Sequence, residues 1–137
     1  MNNRVSLIAG STGFLGSKVL NYLDKENQKI YCLSRRKNEI NTVNAEEIII
    51  DFDNIENLNL PKIDHVYLCL GYELRAWELI SMPKRKKGPF YKVDYEYTLN
   101  IAKKAEEVGA TSISLVSAVG ANKNSESFYL KTKGDLE

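Results

Sequence analysis

The sequence predicts an α/β fold: a doubly wound parallel sheet between two layers of helix, with strand order 3-2-1-4-5. Three observations predict it. Short, mostly unalternating apolar runs recur along the chain (Val5-Ser6-Leu7-Ile8-Ala9, Lys29-Ile30-Tyr31-Cys32-Leu33-Ser34, Glu47-Ile48-Ile49-Ile50-Asp51, His65 to Leu70, Ser112 to Ser117), as strands covered on both faces do. Helical patterns and polar connections separate them. The first run passes through glycines at 10, 13 and 16 directly into an amphipathic segment. Right-handed crossovers then set the strand order and leave a switch point between strands one and four, where ligands bind beyond the carboxyl ends of the strands.

The elements follow in order. Strand one is expected over residues 4–9 and helix one over 14–25, with Phe14, Leu15, Val19, Leu20 and Leu23 on its apolar face. Strand two covers 29–34, and residues 35–45 are a polar loop. Strand three covers 47–51. A short connection with a helical turn spans 53–61. Strand four covers 65–70 and is followed by Gly71. Residues 72–89 are expected as a long loop with Trp77, Pro83, Pro89 and the basic run Lys84-Arg85-Lys86-Lys87. A long helix covers 90–108 with Val93, Tyr97, Ile101, Ala105 and Val108 as its buried stripe, and Gly109 stops it. Strand five covers 112–117. A last helix starts near residue 126.

The 137 residues make one domain, 1–137, with material for a real core. A hydrophobic fraction of 43% and a charged fraction of 27% are those of a globular protein. Nineteen basic and 18 acidic residues leave a net charge of +1, so the chain has no general attraction to nucleic acid or an anionic membrane. No apolar run approaches the length of a membrane span, and the first one is itself a good strand, not a signal segment. A cytoplasmic location is the expectation. Cys32 and Cys69 sit in apolar strands and read as free thiols. With only His65 to join them and no ligand spacing, no metal site is expected.

The glycine turn carries the first chemistry. Gly10 allows a sharp strand-to-helix turn. Gly13, without a Cβ, admits a pyrophosphate close to the backbone, and Gly16 lets the helix pack against the strand. The helix N-terminus offers free N–H groups to the phosphates. A Rossmann-type dinucleotide site is therefore expected. Strand two ends in Ser34-Arg35-Arg36, where an acid commonly binds the ribose diol of NAD(H). Two guanidiniums suit a phosphate monoester, which favours NADP(H) over NAD(H), with Arg35 as the contact and Arg36 open between contact and solvated turn. Asp51, followed by Phe52, ends strand three. It reads either as a strand-end cap or as an acceptor for the adenine amino group, with the next backbone N–H serving a ring nitrogen. Gly71 gives a bare backbone at the end of strand four.

Tyr129 and Lys133 lie four apart on the last helix, and so on one face. Only this one of the eight tyrosines has a lysine at that spacing. An ammonium beside a phenol favours the phenolate, which suits Tyr129 to moving a proton at a carbonyl or hydroxyl oxygen. A hydroxyl from Ser117, at the end of strand five, is placed to bond the same oxygen. The alternative for the pair is a surface contact on a terminal helix.

Gly10-x-x-Gly13-x-x-Gly16, Ser117 and Tyr129-x-x-x-Lys133, in this order on these elements, resemble the short-chain dehydrogenase/reductase superfamily in its extended and atypical branches. The segment Ser117 to Glu137, and Val93-Asp94-Tyr95 opening the long helix, resemble more narrowly the Tat-interacting-protein-like oxidoreductases. The resemblance implies NADP(H) binding and a Ser-Tyr-Lys catalytic group. Carried over by position, it implies that Gly10, Thr12, Gly13, Phe14, Leu15 and Gly16 line the pyrophosphate turn. Arg35 holds the 2′-phosphate, Asp51 and Phe52 the adenine, and Leu70 and Gly71 the ribose side. Tyr129 and Lys133 contact the nicotinamide ribose region. It also makes a homodimer through the long helix and the Tyr-Lys helix an expectation. Two departures stand out. The second position of the serine pair often found after strand five is Ala118, which leaves open whether Ser117 or no serine completes the group. The family chain also runs well beyond the Tyr-Lys helix, whereas this sequence stops four residues after Lys133, so the segments that close over substrate are expected to be absent from it.

Three functions compete. The first is an NADP(H)-dependent oxidoreductase moving hydride between nicotinamide and a small carbonyl or alcohol substrate. The second is a nucleotide-binding regulatory or interaction protein with little turnover. The third is a sugar-nucleotide epimerase or dehydratase. The run Lys84 to Lys87 reads as a solvated loop face, with phosphate binding or protein docking as the alternative.

Overall fold

The computed structural model describes residues 3–137. Five parallel strands form one sheet in the order β3-β2-β1-β4-β5: β1 (Val5–Ala9), β2 (Lys29–Ser34), β3 (Ala45–Ile49), β4 (His65–Leu68) and β5 (Ser112–Leu115). The central strand β1 pairs Val5 with Lys29 and Ala9 with Leu33 on one side, and Ser6 with His65 and Ala9 with Leu68 on the other. Its neighbours leave in opposite directions, so the crevice between β1 and β4 is the switch point.

Each face of the sheet has its own core. Leu7, Ala9, Leu33, Val66 and Leu68 pack under Phe52, Ile55, Tyr97, Ile101 and Ala105, which come from a 3-10 helix (Phe52–Asn57) and α3 (Thr98–Glu107). Ile8, Ile30 and Cys32 pack under Leu20 and Leu23 of α1 (Phe14–Lys25) on the other face. The expected helical stripe is largely right: Tyr97, Ile101 and Ala105 are buried, while Val93 and Val108 flank the core.

Three expectations are corrected. Strand three is displaced toward the N-terminus: β3 pairs Ile30 with Ala45 and Ser34 with Ile49. Asp51 leaves the sheet to cap the 3-10 helix, accepting from the Asp53 N–H at 3.0 Å. β4 and β5 end two residues before the expected limits. Residues 72–89 are not a loop throughout. A 3-10 turn (Ala76–Leu79) and α2 (Lys84–Tyr91) form there, and α2 runs on through a π-helical segment (Lys92–Tyr97) into α3. The basic run is therefore helical and partly docked. Lys86 Nζ lies 2.7 Å from Glu78 Oε1, and Lys87 lies over the Phe128 ring. His65 has both ring nitrogens engaged, by Ser112 Oγ at 2.6 Å and Ser114 Oγ at 2.8 Å, which stitches β4 to β5 and takes it away from either cysteine.

Gly16 is fixed by packing: a Cβ there would fall on the Gly10 carbonyl. Gly16→Ala is expected to cost about 1–3 kcal/mol or more of stability, as overpacking does, whereas Gly71, with nothing within 4 Å of a Cβ, tolerates alanine. Urea unfolding of the two variants checks this; equal midpoints contradict it.

Glu78 is buried, and its carboxyl is held below the usual 4.5 by the Lys86 ammonium and the Arg75 N–H. A depressed carboxylate stabilises fully above its unfolded value and loses that contribution as pH falls through the folded one. The emission of Trp77, the only tryptophan, is therefore expected to stay constant down to about pH 4.5 and to shift only below it. Glu78→Gln is expected to abolish that acid step; an unchanged step rules the assignment out.

Candidate dinucleotide site and the buried lysine beside it

The strand ends build a cleft of about 240 Å³. Gly10, Ser11, Thr12 and Gly13 form its floor, after β1. Leu33, Ser34, Arg35, Arg36 and Asn38 form one wall, after β2; Phe52 closes that end, and Cys69, Leu70 and Gly71 form the other wall, after β4. Gly10 takes φ +90, and a Cβ on it would lie 2.5 Å from the Cys69 carbonyl oxygen. Only glycine fits both the angle and the approach. Gly13 caps α1 and donates to the Gly10 carbonyl at 3.2 Å. The first-turn N–H groups of α1 have no partners within the helix and carry its positive dipole end.

One polar atom in the cleft is poorly matched. Ser11 is 4% exposed, and among the described residues its Oγ has no partner but the soft Cys32 thiol. Burial pushes that thiol up, with Ser11 pulling weakly the other way, and burial also raises Cys69. Both cysteines are free and stay protonated at neutral pH.

The cleft contains Gly10, Thr12, Gly13, Arg35, Phe52, Leu70 and Gly71 of the residues expected from sequence. Phe14, Leu15, Gly16 and Asp51 lie outside its lining. Phe14 is 83% exposed with Lys18 over its ring. The two Asp51 oxygens accept from the Asp53 N–H and the Asn54 amide, so the cap role is filled, with lone pairs to spare. Ser11, Ser34, Asn38 and Cys69 were not foreseen. Asn38 shapes the arginine turn: its N–H donates to Glu47 at 2.9 Å and its amide to the Arg36 carbonyl at 2.9 Å.

The Tyr-Lys helix, α4 (Phe128–Leu136), is capped by Ser127, whose hydroxyl also donates to the Leu79 carbonyl at 2.8 Å. The Tyr129 ring packs on buried Phe90 with centroids 5.5 Å apart, and Lys133 Nζ lies 5.7 Å from the Tyr129 centroid. The structure thus brings half-buried Tyr129 and buried Lys133 together. Lys133 is buried and bonds Asp94 Oδ1 at 2.6 Å; Asp94 Oδ2 accepts from the Tyr72 N–H at 2.8 Å. Tyr72 follows Gly71, so this cluster stands directly behind the β4 wall of the cleft. The Ser117 hydroxyl donates to Glu137 Oε1 at 2.5 Å. The sequence did hold a signal for Asp94, which shares the helical spacing of Thr98, Ile101 and Ala105; an acid on a buried stripe implies a buried cation.

A parallel sheet with this order, and a glycine-floored cleft at its switch point, define a nucleotide-binding protein of the Rossmann class. Residues 6–132 match the NAD dependent epimerase/dehydratase family, and the chain belongs to that family. It is 32% identical over 145 residues to Protein FMP52, mitochondrial, of Lodderomyces elongisporus, covering 96% of this chain and 58% of the relative. It is 30% identical over 148 residues to Protein HTATIP2 of Rattus norvegicus, covering 100% of this chain and 56% of the relative. The chain thus spans less than two thirds of these relatives. Among solved structures, a short chain dehydrogenase from Leptospira borgpetersenii with bound NAD+ superposes with a TM-score of 0.75 at 17% identity, over 99% of this chain and 62% of that one. Human epimerase family protein SDR39U1 with NADPH superposes with a TM-score of 0.70 at 15% identity, over 96% and 47%. These likenesses support the fold and the resemblance to atypical short-chain proteins. The expected cytoplasmic location is overturned by the FMP52 relatives, which are named mitochondrial. Among the described residues no helix is long and apolar enough to cross a membrane.

The buried Ser11 hydroxyl is matched only by a thiol, a weak hydrogen-bonding group. Ser11→Ala is therefore expected to leave the ligand-free melting temperature unchanged or raised, while reducing the increment that NADPH adds. A lowered ligand-free value contradicts this.

Proposed function

We propose that the protein is an NADP(H)-dependent oxidoreductase of the short-chain type, acting on a carbonyl or alcohol substrate. The single observation that carries this is the pairing of the Gly10–Gly13 floor and Arg35 wall of one cleft with half-buried Tyr129 and buried Lys133, the lysine tied through Asp94 to the Tyr72 N–H just past the opposite wall. The cleft suits the cofactor: it has a bare glycine floor, a buried Ser11 hydroxyl matched only by a thiol, and two guanidiniums at the far end of β2. Gly10, Thr12, Gly13 and the first-turn amides of Phe14, Leu15 and Gly16 hold the pyrophosphate. Arg35, with Arg36 beside it, takes the 2′-phosphate, since a planar guanidinium matches phosphate geometry. Phe52 and Asp51 face the adenine, and Leu70 and Gly71 the ribose side. When bound, NADP(H) supplies or accepts hydride. Tyr129 gives or takes the proton at the substrate oxygen, and Lys133 holds the ribose hydroxyls of the nicotinamide half. Ser117 serves that oxygen once its hydroxyl leaves Glu137.

The family match supports a second reading, an epimerase or dehydratase on a sugar nucleotide, and UDP-glucose 4-epimerase is among the structural neighbours. Turnover of aldehydes and ketones against UDP-sugars by the full-length gene product separates the two.

Arg35→Ala is expected to weaken NADPH binding roughly tenfold and leave NADH unchanged, the scale of a charge-assisted hydrogen bond. Tighter NADH than NADPH binding by the unaltered protein sinks the preference. Tyr129→Phe is expected to lower turnover by about a hundredfold or more; undiminished turnover removes Tyr129 from the mechanism.

A further inference from the structure

The turn that carries Asp51 and Phe52 follows β3, an edge strand of the sheet. Phe52 closes one end of the cleft. The 3-10 helix that starts there breaks two residues later, at Asn54 (φ −119, ψ 34). Three side chains tie the turn to the helical layer instead. Asp53 Oδ1 accepts from the Tyr97 hydroxyl at 2.7 Å and lies 2.7 Å from Lys92 Nζ. The Tyr97 ring meets the Phe52 ring edge to face, with centroids 5.5 Å apart. Lys92 Nζ lies 5.8 Å from the Tyr97 centroid. Lys92 and Tyr97 open and close the π-helical segment. In an α-helix of 3.6 residues per turn, side chains at this spacing diverge. The i→i+5 turn of a π-helix brings them to one side, so this rare turn lets both reach a single carboxylate oxygen. Lys92 first, and then Tyr97, hold the Asp53 carboxyl below its usual range. Burial, and then Asp53 itself, hold the Tyr97 phenol above its usual value. Acceptor and donor therefore keep their roles at neutral pH.

We propose that Lys92, Asp53 and Tyr97 form a clamp that sets the base specificity of the cleft, by holding the Asp51–Phe52 turn where it reads the edge of adenine. This rests on the reading of Asp51 and Phe52 as adenine contacts given above. Adenine presents an amino donor and a ring-nitrogen acceptor, which match an oxygen of Asp51 and the N–H of Phe52. Hypoxanthine presents a carbonyl acceptor and a ring N–H at the same two places, and both are mismatched. Hydrogen bonds weaken steeply with misalignment, so a small shift of the turn costs this discrimination while phosphate contacts elsewhere in the cleft survive. The three clamp residues touch no ligand. They act through the turn, as positioning residues.

The test is calorimetric titration of the full-length gene product with adenosine 2′,5′-bisphosphate and with its hypoxanthine counterpart, inosine 2′,5′-bisphosphate. The unaltered protein is expected to prefer the adenine ligand by about tenfold or more, the scale of hydrogen bonds to a charged group. Tyr97→Phe keeps a ring against Phe52 and removes the bond to Asp53. It is expected to lower that preference by about threefold to tenfold, the scale of one hydrogen bond, by weakening the adenine ligand. Asp53→Ala, at a half-exposed position, removes the shared acceptor and is expected to do the same. The double variant is expected to lose no more preference than Asp53→Ala alone, because residues acting through one another are not additive. Lys92→Met is expected to lower the preference by only about twofold, since an ion pair this exposed contributes little. A preference retained in any one of these variants overturns the proposal and leaves the adenine reading in place. Equal weakening of both ligands, with their ratio unchanged, means a merely structural role and overturns it as well. So do losses of preference that multiply in the double variant. If the unaltered protein binds the two ligands equally, the adenine reading fails and the proposal with it.

Discussion

The close passage of two backbones at Gly10 is the constraint on which the rest of the structure depends. β1 ends under the Cys69 carbonyl, and α1 starts by laying Gly16 against the Gly10 carbonyl. Neither contact leaves room for a Cβ, and the positive φ of Gly10 turns the chain between them. This passage brings the N-terminus of α1 to the mouth of the β1/β4 crevice. The two walls of the cleft are then set by the sheet register, which carries Leu33 beside Ala9 on one side and Leu68 beside it on the other. The site is thus a consequence of packing at the switch point, with the ligand-facing groups supplied by whatever residues follow each strand.

The second organising contact is electrostatic. Asp94 joins three segments that the sheet does not connect: the helical layer, the turn after β4 and α4. Around it, Phe90 packs against Phe128 and Tyr129, and Ser127 bonds the Leu79 carbonyl. Residues 72–91 are therefore part of the scaffold that seats α4, with Glu78 and Lys86 as their own internal pair.

Much of this was legible in the sequence where one physical signal dominated. The limits of α1 and β2 follow from a glycine turn and an unbroken apolar run. The strand order follows from crossover handedness. β3 was read two residues late because Glu47-Ile48-Ile49-Ile50-Asp51 has no alternation to set a register, and Asp51 serves the next helix as its cap. α2 is not legible, because Pro83, Pro89 and the basic run read as loop although the helix passes through Pro89. The adjacency of Tyr129 and Lys133 follows from their helical spacing. The contacts of Asp94 are not legible in local sequence, because its partners lie 22 and 39 positions away. The bond from Ser117 to Glu137 joins residues 20 positions apart, which strand-end position does not reveal.

If the ends of β1, β2 and β4 form one dinucleotide cleft, NADPH slows hydrogen exchange, read by mass spectrometry, in residues 10–16, 33–38 and 69–72 together and leaves the outer edge of β5 unchanged. Protection absent from these three segments, or concentrated elsewhere, contradicts it.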